Sequence, residues 1–166
     1  MKLLVIRHAI AMDRVEFAAT GDPDDFRPLT EKGARKMARI ARALRAEIET
    51  LDVLATSPLT RAVETARIVA DAYDMGEAQT TNALVPEATF EEFEGWCSKI
   101  DETGVVAIVG HEPHLSSLVT WLLTGRPESR IELKKGGACL LEFESAVRRD
   151  AGTLNWLLAP RQLTRY

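Results

Sequence analysis

Three short apolar runs recur along the chain: Leu3-Leu4-Val5-Ile6, Val53-Leu54-Ala55 and Val105-Val106-Ala107-Ile108-Val109. Amphipathic stretches separate them. Strands without a polar side are buried on both faces, which a mostly parallel sheet achieves by returning the chain through a helix after each strand. An α/β fold is therefore expected: a three-layer domain over residues 1–166, with helices on both faces of a mostly parallel sheet. Later strands at 138–143 and 154–158 would add an antiparallel edge.

The intervening segments fit this plan. Thr30 reads as an N-cap for a helix over 31–49, where Met37, Ala41, Leu44 and Ile48 share one face and the basic residues lie outside. Further helices are expected over 58–73, 90–100 and 113–123, with Phe93 and Trp96 of the third facing inward. Leu84 and Val85 suggest a short strand, 150–152 a hairpin-like turn, and Gly136-Gly137 another turn. Trp96, Trp121 and Trp156 read as core residues. Residues 9–28, rich in acids and breakers, show no sustained period and read as a loop, either a rim or lid over the end of the first strand or a plain connection.

Several functional classes are disfavoured. Acidic residues outnumber basic ones, 25 to 21, and no dense basic run occurs, so nucleic acid is not an expected partner. No apolar stretch approaches the roughly 20 residues that cross a bilayer, so no membrane association and a cytoplasmic location are expected. Cys97 and Cys139 form no metal or disulfide spacing and read as small hydrophobes. The oligomeric state is not legible.

In open α/β sheets ligands bind beyond the carboxyl ends of the strands. That edge would collect Arg7 and His8 after the first strand, Ser57 and Arg61 after the second, and His111 after Gly110. Two arginine forks can each hold a pair of phosphate oxygens, and the helix starts after Ser57 and Gly110 would offer backbone N–H groups. Phosphoryl transfer needs mainly positioning and positive charge, which these groups supply without a metal or cofactor. The residue types do not decide which histidine attacks.

The motifs Leu4-Val5-Ile6-Arg7-His8-Ala9, Arg27-Pro28-Leu29-Thr30, Thr56-Ser57-Pro58-Leu59-Thr60-Arg61-Ala62 and Val109-Gly110-His111-Glu112-Pro113 resemble, in order, those of the histidine phosphatase superfamily. The short SixA-type branch, whose members are protein-histidine phosphatases, is the best match. The resemblance implies a phosphoglycerate mutase-like fold, His8 as nucleophile, Arg7 and Arg61 as phosphate ligands, and His111 as the group completing the cradle. It further implies a phosphorylated protein as partner, phosphohistidine-bearing, such as a histidine-containing phosphotransfer domain. Ala9 departs from the usual glycine by a methyl group.

Larger relatives use a carboxylic acid to protonate an alkoxide leaving group; the candidate here is Glu87, which could equally buttress an arginine. Arg27 is expected to pair with an acid of its own loop rather than reach the pocket. Ser57 is expected to contribute structure or a backbone contact, lacking the glycine-flanked elbow of a nucleophilic serine. His111 and His114 fall one residue short of the zinc-binding spacing and Pro113 breaks the required helix, so no metal is expected and His114 reads as a helix-start residue at the rim. A phosphatase for phosphohistidine is thus the leading expectation. Its alternatives are a phosphatase for a small phosphomonoester and a phosphoprotein-binding module.

Overall fold

The computed structural model describes residues 1–101 and 104–165. Its six-stranded sheet has the order β3-β2-β4-β1-β5-β6, formed by β1 (Lys2–Arg7), β2 (Val53–Thr56), β3 (Gln79–Thr80), β4 (Val105–Gly110), β5 (Ala138–Glu142) and β6 (Thr153–Leu158). Neighbours from β3 to β1 pair in parallel, whereas β5 runs antiparallel to both β1 and β6. This is the expected α/β arrangement, the phosphoglycerate mutase-like fold.

Alternate residues of the central strands feed two cores. On one face Leu4, Ile6, Ala107 and Val109 pack under α2 (Glu31–Glu47) and α3 (Thr60–Ala72). On the other, Leu3, Val5, Val106 and Ile108 pack under α4 (Phe90–Cys97) and α5 (His114–Thr124). Thr30 caps α2, accepting from the Gly33 amide at 2.9 Å. Cys97 and Cys139 are buried free thiols, and desolvation raises both pKa values to about 12, as suits packing residues.

Some expectations are corrected. Residues 84–85 form no strand: Thr81 accepts from the Ala83 amide, winding Asn82–Leu84 into a 3-10 turn, and Pro86 has no N–H for a ladder. The edge strand is Gln79–Thr80 instead. The β5–β6 link is longer than a hairpin turn and occupies residues 143–152, with Asp150 at φ 54°. Trp121 is buried, but Trp96 and Trp156 are half-buried at the margins of the two cores. Residues 9–28 are not plain coil. They carry α1 (Arg14–Ala18), whose start is capped by the Asp13 carboxylate, and a 3-10 turn at Asp24–Phe26.

That segment is anchored on α2. A Cβ at Gly33 would collide with the Ile10 carbonyl oxygen, the group that also accepts from the Thr30 amide at 3.0 Å. In an exposed helix Gly→Ala stabilises by about 1 kcal/mol; here overpacking against backbone costs about 1–3 kcal/mol and dominates. Gly33→Ala is expected to lower the urea midpoint, and an unchanged or raised midpoint would contradict this packing.

Candidate active site

The β1–β4 register aligns Arg7 with Gly110, so the next residues, His8 and His111, leave adjacent strands at the same edge. The His8 amide donates to the Gly110 carbonyl at 3.0 Å, and the two imidazole centroids lie 5.2 Å apart. Ser57 follows β2 on the other side of β4, its amide bound to the Val109 carbonyl at 3.1 Å, and Arg61 stands in the first turn of α3. Arg7, His8, Arg61 and His111 all line one cleft of about 800 Å³. Residues 9–28 form much of its wall, the rim among the two readings of that segment.

His8 Nδ1 lies 2.7 Å from the Ala9 carbonyl oxygen. A carbonyl only accepts, so Nδ1 carries the proton and Nε2 keeps its lone pair. His8 is 6% exposed. Desolvation lowers its pKa to about 4, opposed by the Ala9 hydrogen bond and reinforced by Arg61, Arg7 and Arg27. Ala9 costs the site nothing visible: it is buried, and its amide donates to Thr65 Oγ1 at 3.0 Å. Thr65 in turn donates to the Arg61 carbonyl, tying the Arg7-His8 turn to α3.

Arg7 is held from outside the cleft and Arg61 from its wall. Arg7 Nη1 donates to the Leu133 carbonyl at 2.9 Å. Arg61 Nη1 donates to the Asp24 carbonyl at 3.1 Å and lies 3.3 Å from that residue's carboxylate. Both Nε–H groups are buried without a partner among the described residues, leaving donors that an oxyanion can satisfy. Burial lowers both guanidinium pKa values from a very high starting point. Arg27 pairs with Asp24 at 2.8 Å as expected of its loop, yet it also lines the cleft, so the two alternatives for this residue coexist. Asp24, which the sequence did not single out, bridges Arg27 and Arg61.

His111 is 2% exposed, and burial first, then the neighbouring cations and histidines, lowers its pKa to about 3. Its Nε2 lies 2.8 Å from Ser57 Oγ, so of the two expectations for Ser57, structure or a backbone contact, this side-chain bond fits the first. The α5 start offers fewer free amides than anticipated: Leu115 N–H is taken by the His111 carbonyl and Ser116 N–H by the Glu112 carboxylate. Glu87 is exposed on the cleft wall, and among the described residues no ion pair joins it to an arginine. His114 begins α5 but is buried against Phe90, ring centroids 5.7 Å apart, and is not a rim residue. The described residues contain no group of three or more His, Cys, Asp or Glu placed to hold a metal ion. They contain no helix long and apolar enough to cross a membrane.

Two imidazoles and two guanidinium groups thus meet at one edge of a mostly parallel α/β sheet. The profile of the histidine phosphatase superfamily (branch 1) matches residues 3–104. An uncharacterized protein of Picosynechococcus sp. is 33% identical over 95% of this chain and 93% of its own length. The chain belongs to the histidine phosphatase superfamily, branch 1. Solved structures extend the likeness at the level of fold. The protein histidine phosphatase SixA complexed with tungstate superposes with TM-score 0.79 at 22% identity, over 98% of this chain and 99% of that one. An alpha-ribazole phosphatase from Shigella flexneri gives 0.74 at 18% identity, over 96% and 97%. A phosphoserine phosphatase variant from Entamoeba histolytica with bound phosphoserine gives 0.70 at 15% identity, over 98% of both chains.

Proposed function

We propose that the protein is a metal-independent phosphatase that carries the phosphoryl group on His8 Nε2, and that its substrate is phosphohistidine on a partner protein. The observation that carries this reading is the His8 tautomer: Nδ1–H is committed to Ala9, so the opposite nitrogen is an uncharged nucleophile in the field of three guanidinium groups, Arg61, Arg7 and Arg27. His8 Nε2 attacks phosphorus and the substrate's P–N bond breaks, the departing imidazole keeping that bond's electron pair. Water then attacks the phosphorus of phospho-His8, releasing orthophosphate and restoring the imidazole. Arg7 and Arg61 hold the equatorial oxygens, where charge concentrates in transit.

A protonated imidazole leaves without a strong acid beside it, whereas an alkoxide needs one. Glu87, exposed and with no arginine or other side chain bonded to it among the described residues, supports a leaving group of the first kind. Its place on the cleft wall is also the observation that favours a second reading, a phosphatase for small phosphomonoesters. The two are separated by measuring orthophosphate release from a phosphohistidine-bearing phosphotransfer domain and from an alkyl phosphate, with wild type and Glu87→Gln. Faster release from phosphohistidine, changed less than about threefold by Glu87→Gln, is expected. Preference for the ester with a loss of about a hundredfold in the variant would establish the second reading. No release from either by wild type would leave a phosphoprotein-binding module.

A further inference from the structure

Ser57 has no exposed surface and does not line the cleft, yet its hydroxyl reaches the cleft's second histidine, 2.8 Å from His111 Nε2. The Leu59 amide donates to the same oxygen at 3.3 Å. A hydroxyl has one proton and two lone pairs. With one lone pair taken by Leu59, two arrangements with a neutral His111 remain. Ser57 can donate its proton to a bare Nε2, which places the imidazole proton on Nδ1. Alternatively, Nε2–H can donate to Ser57 Oγ, and the serine proton must then find another acceptor.

Ser57 Oγ makes no other hydrogen bond among the described residues. His111 Nδ1 likewise has no partner among them. The first arrangement therefore leaves one buried polar group unsatisfied, Nδ1–H. The second leaves two, the Nδ1 lone pair and the serine proton. Each such orphan costs about 1–3 kcal/mol, so the first prevails. It also makes the ring's one unpartnered nitrogen, on a residue that lines the cleft, a donor rather than a lone pair.

We propose that Ser57 is the positioning residue of His111, fixing the tautomer with the proton on Nδ1 so that the ring presents an N–H donor to the transferring phosphoryl group. The phosphoryl part of this inference rests on the function proposed above; the tautomer part does not. Without Ser57 the ring would lose its anchor at Nε2 and the preference that places the proton.

The tautomer is read directly from imidazole nitrogen chemical shifts in ¹⁵N-labelled wild-type protein at neutral pH, which needs no variant. His111 is expected to show a protonated Nδ1 and a bare Nε2, and the reverse pattern would overturn the proposal. In Ser57→Ala the His111 shifts should move toward a mixture of tautomers. The kcat for phosphohistidine hydrolysis should fall about 10–100-fold, less than the loss of a whole transition-state donor, with KM changed less than about threefold. Ser57→Thr, which keeps the hydroxyl, should restore the Nδ1–H pattern and most of kcat. Unchanged shifts and kcat in Ser57→Ala would overturn the positioning role while leaving the phosphatase reading intact. A wild type with the expected tautomer but no phosphatase activity would overturn that reading and the phosphoryl part of this one.

Discussion

His8→Ala is expected to bring phosphohistidine hydrolysis to the background rate, a loss of at least about 10⁴-fold, because it removes the atom to which the phosphoryl group is bonded in transit. The fold should survive, since among the described residues the His8 side chain makes one hydrogen bond, to the adjacent Ala9 carbonyl. Wild type quenched during turnover should carry an acid-labile, base-stable phosphoryl group, and the variant should carry none. Equal phosphate release by the two proteins would remove His8 from the mechanism. The same imidazole should titrate far below an ordinary histidine. With a pKa of about 4, lowered first by burial, it is uncharged at pH 5, where a solvent-exposed histidine is protonated. Acidification removes the nucleophile only as pH falls through about 4, and a nuclear magnetic resonance titration of His8 with a midpoint near 6.5 would contradict the buried geometry.

Arg61→Ala is expected to lower kcat/KM by about 10²–10³-fold, the usual loss when one donor to a transferring anionic group is deleted. Arg61→Lys should recover part of this at most, because an ammonium keeps the charge but not the planar fork. The effect should appear in orthophosphate and tungstate affinity as well as in turnover. Asp24 keeps its 2.8 Å pair with Arg27 in either variant, so the cleft wall should hold its shape. Thermal melting would verify that. Undiminished affinity for both oxyanions in Arg61→Ala would take this guanidinium out of the phosphate cradle.

Local signals carried much of this arrangement. The apolar runs of β1, β2 and β4 leave little choice but strands buried on both faces, and the Thr30 cap with its periodic apolar face defines α2. Once those strands are parallel, Arg7, His8, Arg61 and His111 must share an edge. The misses lie where a contact depends on chain distant in sequence, or where an element is too short to show a period. Helix α1 has five residues, and its signal is the Asp13 cap with Glu16 in the first turn. The Ser57–His111 bond spans β2 and β4, and the Leu133 carbonyl reaches Arg7 across 126 positions. His114 reads as peripheral because a helix start usually is, but Phe90 of α4 covers it.

The β1–β4 register also bears on how the molecule folds. It joins residues about a hundred positions apart, and the Arg7 carbonyl is closed off later still by the Gly136 amide. Contacts of such separation are entropically expensive to close and slow to form. Chains in which this pairing is open do not bring His8 and His111 together, so an oxyanion held as proposed would bind the folded molecule. Its binding energy would then add to the free energy of unfolding as RT ln(1 + [L]/Kd), so the proposed function has phosphate as an expected stabiliser of the whole fold.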